Sequence, residues 1–93
     1  MTSSLPPVPP ELLQFPCSFP IKVMGACANG FAEAIAEVVR SFDPEFDPAT
    51  MEMRPSRHGN YLGLTVTVMV HSREQLDNIY RALTGHPMVK IVL

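Results

Sequence analysis

The sequence predicts an α+β fold of the ferredoxin-like class, a βαββαβ sandwich in which a four-stranded antiparallel sheet carries two helices on one face. Apolar residues alternate with period two in four segments, as in strands, and recur at helical spacing in two others. The 93 residues leave room for one hydrophobic core. Right-handed crossovers in the two βαβ-type halves then predict the spatial strand order 4-1-3-2.

The chain divides into an arm and one domain. Residues 1–16 begin with MTSSLPPVPP, whose prolines disfavour a helix or a central strand, so we expect a flexible proline-rich arm. The apolar Leu12, Leu13 and Phe15 predict that the end of this arm lies against the domain. Residues 17–93 then form a single ferredoxin-like domain.

The first half of the domain reads as strand, helix and strand. A strand is predicted from Phe19 to Gly25, with Phe19, Ile21 and Val23 facing the helices. Asn29 is a favourable N-cap for an amphipathic helix of about thirteen residues. Two Asp-Pro dipeptides end this helix, because proline lacks the N–H group and drives the preceding residue out of the helical region. A second strand follows at residues 50–54.

The second half begins with a β-hairpin. Residues 55–60 are rich in turn formers, and the run 61–71 after them predicts a long, half-buried central strand. Residues 72–75, SREQ, have the form of a capping box, which predicts a second helix ending near Gly85. The last strand is predicted at 88–93, with Val89, Ile91 and Leu93 alternating against Lys90.

The sheet face away from the helices is predicted to be a mixed surface. Met24, Met69 and Val92 would otherwise lie in water there, which favours a homodimer formed through this face or through the edge strands. RNA-recognition modules share this topology, but Tyr61 is the only aromatic residue predicted on the face, and a net charge of −2 gives no broad positive field. We therefore do not expect nucleic-acid binding. The predicted face consists of Lys22, Met24, Glu52, Arg54, Tyr61, Thr65, Thr67, Met69, Lys90 and Val92.

Groups that could carry catalysis are scattered along the chain. The three histidines have no zinc-site spacing and no dinucleotide motif occurs, so we predict no catalytic residue, no metal and no cofactor. Cys17 and Cys27 flank the first strand, which holds them roughly 20 Å apart and prevents a disulfide. Such cysteines suit a reducing compartment, and no segment resembles a signal peptide or a membrane span, so we expect a cytoplasmic protein.

The turn from Met24 to Gly30 is the best candidate ligand site from the residues alone. Its backbone amides and the dipole of the following helix could receive a carboxylate or a phosphate. The alternative is structural: Gly25 permits the turn and Asn29 caps the helix.

Three segments resemble the YbeD-like family of small bacterial proteins of uncharacterised function. They are residues 15–25 with K-V-M-G, residues 55–61 with S-x-x-G-N-Y, and the terminal VKIVL. The likeness covers residues 11–93 and implies a fold similar to the ACT regulatory domains, which bind amino acids or other small effectors, commonly at dimer interfaces. By this resemblance, Lys22, Met24, Gly25 and Asn29 lie where an effector site would be, and Ser56, Gly59, Asn60 and Tyr61 match the family's hairpin motif.

The leading hypothesis is a non-enzymatic, ACT-like regulatory module that binds an amino acid or carboxylate, forms a homodimer and modulates a metabolic enzyme. A protein-interaction module without a small ligand is the alternative. In that case a bulkier residue at position 25 affects folding only, whereas changes at Lys22 or Arg54 weaken capture of the partner. An enzyme is the third hypothesis, and loss of activity in a folded Cys27→Ser variant would favour it.

Overall fold

The computed structural model describes residues 14–93, and most of the predicted arm, residues 1–13, lies outside this range. The elements follow the predicted order. They are β1 (Cys17–Ala26), α1 (Phe31–Phe42), β2 (Glu52–Pro55), β3 (Tyr61–Val70), α2 (Arg73–Thr84) and β4 (Val89–Val92), with a 3-10 turn at Pro48–Thr50. All strand pairs are antiparallel, and the spatial order β2-β3-β1-β4 is the predicted one, so the ferredoxin-like fold class is confirmed.

Both helices cover one face of the sheet, and the core lies between these two layers. Strand β3 supplies its even-numbered residues, and the helices supply residues at helical spacing. Because each fully buried large apolar side chain contributes about 1.5–3 kcal/mol, this layer dominates the stability of the fold. None of the helices in residues 14–93 is long and apolar enough to cross a membrane. The fully buried large side chains are Phe31, Ile21, Ile35, Leu64, Ile79, Leu83, Val23, Val39, Val66, Val68 and Val70.

The two helices begin differently. Helix α2 has the predicted cap, because the Ser72 hydroxyl oxygen accepts a hydrogen bond from the Gln75 amide at 3.1 Å. Helix α1 does not: its N-cap is Gly30, at φ 86°, and no side chain caps it. The prediction that Asn29 is the N-cap is therefore wrong, because the chain enters α1 through a left-handed residue, a conformation that glycine adopts without steric cost.

Strand β4 contains a β-bulge that reverses the predicted alternation. Met24 pairs with Ile91, but Gly25, one residue further along β1, pairs with Val89, so Lys90 is an extra residue. Val92 consequently pairs with the buried Val23 on the helix side of the sheet, while Ile91 shares the open face with Met24. The predicted placements of Val92 on the open face and of Ile91 on the helix face are therefore wrong.

Strand β1 is central although it contains Pro20. The Lys22 amide donates to the Leu93 carbonyl at 3.2 Å, so the amides of even-numbered residues in this part of β1 point toward β4. The nitrogen of Pro20 points to the same side. Strand β4 pairs only with later residues of β1, so no β4 carbonyl lies opposite Pro20. The missing N–H group therefore costs the sheet no hydrogen bond.

The connection between α1 and β2 is fastened to the domain. Phe46 is buried in the core, and one carboxylate oxygen of Asp43 accepts a hydrogen bond from the Met69 amide at 3.1 Å, on the edge of β3 that β2 leaves unpaired. Asp47 caps the 3-10 turn by accepting from the Ala49 amide at 3.0 Å. This turn is the reason why β2 begins at Glu52, two residues later than predicted.

Candidate ligand groove on the open sheet face

The face of the sheet away from the helices is ordered by cross-strand pairing into two rows. In the first row, Gly63 of β3 lies between Arg54 of β2 and Met24 of β1, and Ile91 of β4 follows Met24. The second row carries Thr65 at its centre. Glu52, Thr65, Lys22 and Leu93 follow one another across the four strands in this row.

A groove with a volume of about 750 Å³ lies over these rows. Gly63 forms its floor, because a residue without a side chain leaves a depression between the flanking Met24 and Arg54 side chains. Tyr61 and Thr65 each lie two residues from Gly63 on the same face of β3, and they border the depression at its two ends along the strand. The groove therefore combines apolar side chains with a small number of charged groups.

The charges of the groove are arranged around Thr65. Lys22 pairs with Thr65 from one side and Glu52 pairs with it from the other. Arg54 lies two residues from Glu52 on the same face of β2. A guanidinium and an ammonium on opposite sides of one groove are suited to holding an anionic group, and arginine can bind a carboxylate through two parallel hydrogen bonds.

The hairpin between β2 and β3 is shaped by the residues of the S-x-x-G-N-Y segment. The Ser56 hydroxyl oxygen accepts from the Tyr61 amide at 3.0 Å, and the Ser56 carbonyl accepts from the Gly59 amide at 3.0 Å. Gly59 has φ 76°, which favours glycine. The Asn60 carbonyl accepts from the Cys27 amide at 3.0 Å and so joins the hairpin to the β1–α1 turn. These contacts give the motif residues structural roles.

The structure brings only part of the sequence-predicted site together. Lys22, Met24, Ser56 and Tyr61 line the groove. Gly59 lies in the hairpin turn, and Gly25, Asn29 and Asn60 are likewise not among the groove-lining residues. A binding role for these four residues stays a prediction.

Gly25 faces the helix layer and is buried. A Cβ atom at this position would lie 2.6 Å from Cζ and 2.8 Å from Cε1 of Phe31, and it would also overlap the carbonyl oxygen of Met88. The absence of a side chain at Gly25 therefore lets the ring of Phe31 and the backbone at Met88 pack against β1.

Sequence reasoning missed the floor of the groove and its outer wall. Gly63 interrupts a strand otherwise rich in valine and threonine. A lone glycine inside a strand indicates a bulge or the close approach of another group, so this glycine was the signal that could have identified the floor. Ile91 and Leu93 were assigned to the other face because the bulge at Lys90 has no local sequence signature.

A second concavity, of about 520 Å³, lies beside the α1–β2 connection. Its carboxylates belong in part to the fold, since those of Asp43 and Asp47 already accept backbone hydrogen bonds. Within residues 14–93, no group of three or more His, Cys, Asp and Glu side chains is placed to hold a metal ion.

Comparison with known proteins gives relatives over nearly the whole chain. Residues 10–93 match the family described as "Protein of unknown function (DUF493)". A UPF0250 protein of Bordetella pertussis is 64% identical over 88 residues, which cover 92% of this chain and 97% of the relative. A UPF0250 protein of Paraburkholderia phytofirmans is 65% identical over 83 residues, which cover 89% of this chain and 93% of the relative.

Two solved structures share the fold. Protein HP0495 from H. pylori superposes with a TM-score of 0.72 at 15% identity, over 98% of this chain and 90% of that protein. The ACT domain from GTP pyrophosphokinase of Chlorobium tepidum superposes with a TM-score of 0.62 at 18% identity, over 82% of this chain and 84% of that domain. The fold is therefore ACT-like, and the chain belongs to the DUF493 family of small bacterial proteins of unknown function.

Proposed function

We propose that this chain is a non-enzymatic regulatory module whose open-face groove binds a small carboxylate with an apolar portion, and that occupancy of the groove changes how the module contacts a metabolic enzyme. The observation that carries the proposal is the depression at Gly63 between a cationic and an apolar neighbour. Its volume of about 750 Å³ falls within the range of roughly 300–1,000 Å³ that is typical of small-ligand sites.

The chemistry of the walls selects the ligand class. Arg54 and Lys22 offer charge-assisted hydrogen bonds to a carboxylate, while Met24, Tyr61 and Ile91 offer apolar contact to the remainder of the ligand. Amino acids and short-chain carboxylates have this combination. The likeness of the fold to an ACT domain agrees with a regulatory role.

A backbone-amide NMR titration of the labelled protein against pools of amino acids and short-chain carboxylates tests the proposal. We expect saturable shifts at Met24, Arg54 and Gly63. Gly63→Leu fills the floor and should weaken binding at least about tenfold, whereas Thr67→Leu, on the same face of β3 but outside the groove, should not. Shifts confined to residues 26–30 would favour the β1–α1 turn instead, and a spectrum that no pool moves would refute the proposal.

A protein-interaction module is the second candidate, because an apolar side chain remains exposed at the margin of the groove. Leu93 is 69% exposed, more than a small ligand seated over Gly63 could cover. In this case Lys22 and Arg54 variants should weaken capture of a partner while the pools leave the spectrum unchanged.

A further inference from the structure

The open face is self-complementary in charge, and we infer that a second copy of this chain docks on it face to face. The second copy would cover the groove, so it would compete with a carboxylate for this face, and the inference is tested separately from the proposed function. It rests on the register of the sheet. Lys22 and Glu52 pair with Thr65 from opposite sides, so their Cα atoms lie about 10 Å apart with β3 midway between them.

A twofold axis that lies between two facing sheets and runs along β3 brings these charges together. Rotation about this axis exchanges the two sides of β3, so Lys22 of each copy faces Glu52 of the other copy. Thr65 faces its own equivalent across the axis. Sheets packed face to face lie about 10 Å apart, a gap that a lysine and a glutamate side chain can bridge together. One symmetric contact thus forms two ion pairs.

The same charges disfavour the perpendicular arrangement. An axis running across the strands through Thr65 leaves each residue of that row opposite its own equivalent. Lys22 then faces Lys22, and Glu52 faces Glu52. Like charges opposed in an interface from which water is excluded are costly, so the charge pattern selects the axis along β3.

The neighbouring row supplies apolar contact in the selected arrangement. Arg54 of one copy lies over Met24 of the other, and the aliphatic stem of the arginine can pack on the methionine. Gly63 faces Gly63, so no side chain obstructs the approach at that point. Met24 is 40% exposed in the single chain, so this contact removes apolar surface from water.

Sedimentation equilibrium of the full chain, at concentrations up to about 1 mM, tests the inference. We expect a dimer whose dissociation constant rises at least about tenfold in Lys22→Glu and in Glu52→Lys, because each variant opposes like charges at two symmetric contacts. The double variant Lys22→Glu/Glu52→Lys exchanges the charges and should return the constant to within about threefold of the wild type. Arg40→Glu, an equal change of charge on exposed α1 surface, should leave it unchanged.

Circular dichroism of each variant establishes that it is folded, since both positions are exposed. A wild-type chain that stays monomeric up to about 1 mM would overturn the inference. A dimer that the single reversals do not weaken, or that the double variant does not restore, would overturn the charge-paired arrangement. A monomer that nevertheless binds a carboxylate would overturn the dimer alone and leave the proposed function intact.

Discussion

Gly25→Ala is the perturbation whose effect the structure defines most closely. The added Cβ would lie 2.6 Å from the ring of Phe31 and would overlap the carbonyl oxygen of Met88. Real Cβ atoms essentially never approach closer than 3.0 Å, so the ring or the backbone must move. Neither movement is easy, because Phe31 is wholly buried and the second obstacle is backbone.

The expected destabilisation follows from these contacts. Overpacking a core typically costs 1–3 kcal/mol, and the two simultaneous clashes place Gly25→Ala near the upper end, at about 3 kcal/mol. A domain of this size has a free energy of unfolding of roughly 5–14 kcal/mol. At 4–8 °C per kcal/mol, the midpoint of thermal unfolding should fall by about 12–24 °C.

Urea denaturation followed by far-UV circular dichroism measures this change, and Gly63→Ala is the matched control. A Cβ at Gly63 meets only the Arg54 carbonyl oxygen, at 3.5 Å, which is ordinary contact, so its effect should stay within about 0.5 kcal/mol. If Gly25→Ala keeps wild-type stability but loses carboxylate binding, Gly25 is a ligand-site residue and the packing argument is refuted.

Two further predictions concern α2. Ser72→Ala removes the hydroxyl oxygen that accepts from the Gln75 amide and should lower the free energy of unfolding by about 1 kcal/mol in the same assay. An unchanged free energy of unfolding would mean that water replaces the hydroxyl without cost. Burial raises the pKa of the Tyr80 phenol above 10.0, so the folded state holds its proton more tightly than the unfolded state. The free energy of unfolding should therefore fall as pH rises above about 10, and Tyr80→Phe should reduce this fall; an identical pH dependence in both proteins would contradict the assignment.

The elements and their order could be predicted from the sequence because local patterns determine them. The alternation in β3, the SREQ segment before α2 and the helical spacing in α1 each act over a few residues, and right-handed crossovers then leave one arrangement of the sheet. The start of α1 could not be predicted in the same way. Asn29 and Gly30 are both acceptable N-cap residues, and the hydrogen bond between Cys27 and Asn60, which fixes the turn before them, joins residues distant in sequence.

The candidate site could be predicted only where the pairing register follows from alternation. Lys22, Met24, Arg54 and Tyr61 were assigned to the open face, and the structure confirms this face for them. The roles of Gly63 and Ile91 depend on which residues stand opposite them across the sheet. That information is nonlocal, and a one-residue shift in register moves every later side chain to the other face.

The bulge at Lys90 therefore determines which β4 side chains lie on the open face. A regular β4 would place Ile91 and Leu93 under α2 and would leave Val92 on the open face. The extra residue instead puts Val92 opposite the buried Val23 and places Ile91 beside Met24, which extends the apolar wall of the groove. Gly25 supports the same arrangement, since its bare backbone accepts the approach of Met88 just before the bulge. The irregular residues of this sheet thus extend the apolar wall of the groove, while the regular pairing of β1, β2 and β3 places its charges and Met24.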